Sequence, residues 1–361
     1  MTSRPQSHTP DILCIGAVLW DIIGSTQRDV AIGDDVPGRI TRAPGGVALN
    51  IALALEIGRA SCRERVLWVT GVQTCALPIW DIIGSTQRDV AIGDDVPGRI
   101  MRAPGGVALN IALALARFGM TPALLSAVGK DDEGEALVAI CARLGLITTH
   151  LYRPENLPTD RYMAIEGAGG LIAAIADAHT LEVAGDAILR PLTDDRLGSE
   201  ARPWSGLAVI DGNLTPRVLA QIAAAPTFAA ADLRIAAASP DKAARLAPFL
   251  RHPQATLYLN LAEARALGDF PYRSAPEAAT KLMETGTARV LVTNGGDLCA
   301  EAKLGHGLQT GQPPKVTIAR VTGAGDHFMA GHIAAEHRGE GRAAAFAQAL
   351  AAAATHISRE P

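Results

Sequence analysis

The sequence predicts an α/β fold with a mostly parallel central sheet, helices on both faces and a small β lid. Three observations predict it. Short, continuously apolar, β-prone runs recur along the chain, as strands buried on both faces require. Helical stretches alternate with those runs, which is the order that builds a parallel sheet. Two further stretches, RYMAIEG at 161–167 and GLIAAIAD at 170–177, alternate with the shorter period of half-buried antiparallel strands.

Taken in order, residues 11–19 (DILCIGAVL) give the first core strand. TPALLSAVG gives the next, followed by DDEGEALVAICARLGL, a helix with acidic residues in its first turn and Gly145 near its end. Strand and helix then pair in LAVIDGN with TPRVLAQIAAA, in ADLRIAAA with SPDKAARLAPFL and in ATLYLN with LAEARAL, and ARVLVTNGG supplies a last strand. Ligands of such a sheet bind beyond the carboxyl ends of its strands. The segments 21–40 (or the copy, 81–100) and 151–177 break the pattern and are expected to form the lid. A cover that excludes water suits transfer of a group to an alcohol, because water is the competing acceptor.

One block occurs twice. Residues 20–55 recur as 80–115 with a single difference, Thr41 against Met101. The intervening residues 56–79, EIGRASCRERVLWVTGVQTCALPI, have neither a helical nor a strand period. Their two halves read as translations of the adapters ligated to fragments in short-read DNA libraries. Residues 20–79 are therefore read as an artefactual insertion into one domain spanning 1–361, against the alternative of a genuine tandem duplication with an unrelated linker.

Composition narrows the class of ligand. A formal net charge of −4 without a basic run gives no reason to expect a nucleic acid or an anionic membrane surface. The opening MTSRPQSHTP lacks an apolar signal core, and no apolar run reaches bilayer length. Five cysteines (Cys14, Cys62, Cys75, Cys141, Cys299) show no C-x-x-C spacing and read as free thiols of a reducing compartment, so the expectation is a cytoplasmic protein with a small-molecule ligand.

The segment ARVTGAGDHFMAGHIAAEH at 319–337 carries the most chemistry. Gly323 and Gly325 precede an apolar helical stretch, so the amides of residues 323–326 can approach an anion where the helix terminus is positive. Phosphoryl transfer spreads negative charge that such amides stabilise, while Asp326 can accept the proton of an attacking hydroxyl. Asp at a helix start is also an ordinary cap, and G-A-G an ordinary turn. A second segment, PGGVALNIALALARFGM, offers Gly105, Gly106 and Asn110, with Gly45, Gly46 and Asn50 in the other copy. Glycines permit close backbone approach, and an amide both donates and accepts, although a glycine turn before a core helix has the same look.

Together these segments resemble the signatures of PfkB carbohydrate kinases, the ribokinase-like family. VTGAGDHFMAG is similar to D-T-x-G-A-G-D-x-F-x-x-G, with Arg320-Val321-Thr322 where the family has Asp-Thr-Thr. The resemblance implies ATP-dependent phosphotransfer, with Asp326 as general base and Gly323, Ala324 and Gly325 as the anion hole. It implies substrate hydroxyls at Gly105, Gly106 and Asn110, and at an acid ending the first strand, Asp21 or Asp81. Val128 to Gly134 resembles the family's G-x-D-x-x-G. Asn260 and Glu263 resemble its N-x-x-E, with Glu263 toward Mg2+, and Thr293, Gly295, Gly296 and Thr322 fall on its nucleotide-binding positions. ATP and Mg2+ are thus implied, a monovalent cation is left open, and a homodimer through the lid is common in the family.

Within the family, PTDRYMAIEG, LIAAIADAHTLE, VIDGNLTPRVL and ASPDKAARL resemble pseudouridine kinases. That likeness implies transfer to the 5′-hydroxyl of a C-nucleoside, with Thr159, Arg161 and Asp177 near the lid reading the sugar or base. Another nucleoside or sugar, or a non-catalytic ligand-binding regulator on the same fold, are the alternatives.

Overall fold

Ile12, Leu13 and Ile15 are fully buried in β1 (Ile12–Ile15), a strand of the central sheet. The computed structural model describes residues 12–15, 19–26, 35–37, 98–167, 170–177, 179–318 and 323–358. They fall into two compact units. The smaller comprises Trp20–Ala103 and Arg161–Asp177, and the larger comprises the rest.

After β1 come β2 (Leu19–Thr26), β3 (Asp35–Pro37), β4 (Gly98–Gly105), α1 (Val107–Arg117), β5 (Pro122–Leu125), α2 (Asp132–Arg143), β6 (Arg161–Gly167), β7 (Gly170–Asp177) and α3 (His179–Ala184). The chain continues through β8 (Leu207–Asp211), α4 (Pro216–Ala224), β9 (Asp232–Ala236), α5 (Pro240–Ala243), β10 (Ala255–Asn260), α6 (Leu261–Gly268) and α7 (Ala275–Glu284). It ends with β11 (Arg289–Thr293), β12 (Cys299–Lys303), β13 (Gly307–Gly311), α8 (Ala324–His337) and α9 (Arg342–Ile357).

The eight-stranded sheet has the order β13-β12-β11-β10-β9-β8-β1-β5. From β5 to β11 every pairing is parallel, and β12 and β13 are antiparallel additions at one edge. The predicted mostly parallel sheet is therefore present. The five-stranded sheet has the order β3-β7-β6-β2-β4, in which β6 and β7 form the predicted antiparallel pair. The two copies of the duplicated block enter differently: β2 comes from the first, β4 and α1 from the second.

Local sequence explains the helix boundaries. Asp131 caps α2 by accepting from the Gly134 amide, and acidic Asp132, Glu133 and Glu135 follow in the positive first turn. Thr215 caps α4, with Pro216 at its first position. The helix expected from SPDKAARLAPFL is shorter: α5 stops at Ala243 and a 3-10 segment continues to Phe249. Pro248 accounts for this, since it has no N–H and its ring opposes the carbonyl four residues earlier. The sequence reading missed α3, α7, α9 and the β12–β13 hairpin. No helix among the described residues is long and apolar enough to cross a membrane.

A buried ionic cluster ties the second half of α8 to the sheet. Arg234 meets Asp232 and Glu336, and Arg289 meets Glu336 at 2.7 Å and Glu301 at 2.8 Å. Burial opposes the charge on Glu336, but the guanidiniums of Arg234 and Arg289 hold its carboxyl down to about 2. Burial pushes the His332 imidazole down to about 3, so it is neutral. An arginine can only donate, so the contact from Arg289 Nη2 to His332 Nε2 places the imidazole proton on Nδ1, toward the Tyr258 hydroxyl oxygen 2.8 Å away.

Candidate active site

Two helix amino termini meet in the larger unit. Asn110 lies in the first turn and a half of α1 and Asp326 in the first turn of α8. The Asn110 Nδ2 donates to Asp326 Oδ2 at 3.0 Å, across 216 positions of sequence. The start of α1 is fixed from the sheet. Asp211, fully buried at the carboxyl end of β8, accepts from the Ala108 amide at 3.4 Å and from the Asn213 amide at 2.8 Å. A carboxylate there complements the positive end of the helix. Sequence reasoning passed over Asp211, although an acid closing the apolar run LAVI is the signal that could have found it.

Gly323 caps α8 in the left-handed region, with φ 84°. An added Cβ at Gly323 would lie 2.9 Å from His356 Nε2, whereas one at Gly325 would meet nothing within 4 Å. The first turn of α8 thus has a closed side and an open one. Helix-starting amides have no partner within their own helix, so the open side can bind an anion.

The next site residues lie at the carboxyl ends of β10 and β11, where Asn260 pairs with Thr293 in register. Asn260 and Glu263 form a capping box: the Asn260 side chain accepts from the Glu263 amide at 2.9 Å, and Glu263 Oε2 accepts from the Asn260 amide at 2.7 Å. Burial pushes the Glu263 carboxyl up, and the Asn260 amide works against that shift. Beyond Thr293, Gly295 (φ 55°) and Gly296 are exposed, with nothing within 4 Å of an added Cβ at either.

The segment from Val128 to Gly134 is a strut. Asp131 accepts from the Thr159 amide at 3.0 Å and from its hydroxyl, and Thr159 is only 2% exposed. Thr159, expected to read a ligand, therefore spends both groups on the cap of α2. An added Cβ at Gly134 would lie 2.0 Å from the Gly129 carbonyl oxygen and 2.6 Å from Thr159 Oγ1. Gly134→Ala is expected to lower stability by about 1–3 kcal/mol through overpacking, which thermal unfolding measures.

In the smaller unit, Arg161 stands directly opposite Asp177 on β6 and β7. Asp21 is the third residue of β2, opposite Tyr162, and so belongs to the five-stranded sheet, not to the end of the first core strand. Gly105 ends β4, and Gly106 (φ 101°) caps α1. Asp81 and Thr322 lie outside the described residues. Among the described residues no group of three or more His, Cys, Asp or Glu could hold a metal ion.

Residues 81–360 match the model of the pfkB family carbohydrate kinases. The pseudouridine kinase of Escherichia coli (strain K12) is 27% identical over 261 residues, covering 70% of this chain and 79% of its own length. The uncharacterized sugar kinase YeiI of the same organism is 30% identical over 304 residues, covering 80% of this chain and 78% of its own. Among solved structures, the ribokinase of Arabidopsis thaliana complexed with ribose and ATP aligns with a TM-score of 0.67 at 16% identity, covering 98% of this chain and 94% of that one. That last likeness is one of fold.

Proposed function

The chain belongs to the pfkB family carbohydrate kinases, and on that premise we propose that it transfers the γ-phosphoryl group of ATP to the 5′-hydroxyl of pseudouridine. The observation that carries the site is the hydrogen bond from Asn110 to Asp326, which joins two signatures 216 positions apart. Asp326 is the general base. Asn110 donates to one carboxylate oxygen, which favours the charged form and fixes its orientation. As the hydroxyl oxygen bonds to phosphorus, its proton passes to Asp326 and the bond from phosphorus to the ADP oxygen breaks. The amides of residues 323–326, at the positive end of α8, meet the charge on the transferring group.

Thr293, Gly295, Gly296 and Asn260 are the residues proposed to hold the nucleotide, because the exposed glycine turn after β11 lets phosphates approach the backbone. Magnesium bound with ATP neutralises phosphate charge, and Glu263 would be its protein ligand. A single carboxylate fits an ion carried largely by phosphates and water. Arg161 and Asp177 are proposed to read the nucleoside, and the name of the Escherichia coli relative supports that acceptor.

The test incubates the full chain, and the chain lacking 20–79, with ATP, magnesium and one of pseudouridine, ribose, fructose 6-phosphate or adenosine, following ADP release. Turnover of pseudouridine alone is expected. Turnover of another acceptor keeps the base and replaces the substrate. Binding without turnover of any acceptor would favour a ligand-binding regulator instead.

A further inference from the structure

The closed side of the α8 turn is formed by two imidazoles. His327, immediately after Asp326, points its Nδ1 at the Gly323 carbonyl oxygen at 3.0 Å, and that same oxygen accepts from the His327 backbone amide at 3.1 Å. A carbonyl only accepts, so His327 carries a proton on Nδ1. The His356 ring stacks on His327 with centroids 3.6 Å apart and planes 21° from parallel. His356 is the next-to-last residue of α9, is 9% exposed, and sets its Nε2 against Gly323. Packing of α9 along α8, with Phe346 edge-on to Phe328 at 6.1 Å, delivers it there.

Gly323 is thus gripped twice: its carbonyl is held by one ring, and its Cα is backed by the other. The conformation of that one residue sets the direction of the amides that follow it. We propose that His327 is a positioning residue for phosphoryl transfer, its bond to the Gly323 carbonyl locking Gly323 in its left-handed conformation, with the His356 ring as packing support, so that the α8 amides stay aimed at the transferring group. Neither ring touches the reacting atoms in this scheme. The inference rests on the proposed kinase reaction at Asp326. Its physical basis is that oriented amides act through geometry, so that a small misplacement costs rate and not ground-state affinity.

Two substitutions of similar size separate the clamp from mere packing, and both are made in the full chain. His356→Phe keeps a ring for the stack and is expected to retain kcat within about threefold. His327→Phe keeps the stack but removes the bond to the Gly323 carbonyl, and is expected to lower kcat by about 10- to 100-fold with KM for acceptor and ATP unchanged. Unfolding midpoints measured alongside show that both proteins are folded. Equal kcat in His327→Phe and the unsubstituted chain overturns the inference, as does a rise in KM with kcat preserved, or equal losses in the two variants. Failure of the kinase reading itself is seen separately, as an unsubstituted chain that turns over no acceptor or an Asp326→Asn protein that turns over as fast.

Discussion

Asp326→Asn is expected to leave the protein folded and able to bind ATP and acceptor while lowering turnover by about 10²- to 10⁴-fold. The substituted side chain has the same shape, and its amide oxygen can still accept from Asn110 Nδ2, so the contact between α1 and α8 survives. What it loses is the capacity to take the hydroxyl proton. A smaller cost comes from removing a negative charge in the first turn of a helix, about 0.3–1 kcal/mol. ADP release measures the first effect and ligand-induced shifts in melting temperature measure retained binding. A near-unchanged rate would remove Asp326 from the role of base, whereas lost binding of both ligands would show that the carboxylate organises the site and does not act on the proton.

The parts of this fold that could be read in advance are those in which one local rule decides. Continuous apolar runs such as LAVI and VLV cannot be solvated on either face, so they had to be interior strands. The start of α8 was legible as a helix start because Gly323 and Gly325 precede an apolar helical stretch with an acid in its first turn. In α7 the cap Ser274 with Glu277 three residues on was present but passed over. In β12 the charged Glu301 hides an interior strand, because its burial depends on arginines 12 residues before and 41 residues after it. The bonding of Thr159 was not legible for the same reason: its partner Asp131 lies 28 residues away, and no local pattern announces the pair. Nor does any period or spacing reveal that His327 and His356 stack.

Glu301→Ala is expected to cost about 3–5 kcal/mol of folding stability, because it removes one side of a buried ion pair and leaves the other. Glu301 is completely buried. Its Oε1 accepts from Arg289 Nε at 2.8 Å and from Arg342 Nε at 2.9 Å, while Oε2 accepts from Gln309. Arg289 is itself buried and keeps Glu336 at 2.7 Å, but Glu336 also serves Arg234, whose other partner is the more exposed Asp232, so Arg289 would be left sharing its one remaining carboxylate. Chemical unfolding reads the loss as a lower midpoint. The same reasoning says that the penalty comes from the stranded charge more than from the vanished contact. Replacing both partners, Glu301→Leu with Arg289→Met, is therefore expected to restore most of the stability that Glu301→Ala removes. A double variant as unstable as the single one would mean that the cluster contributes through its hydrogen-bond geometry, with His332 and Tyr258 depending on Arg289 for their arrangement.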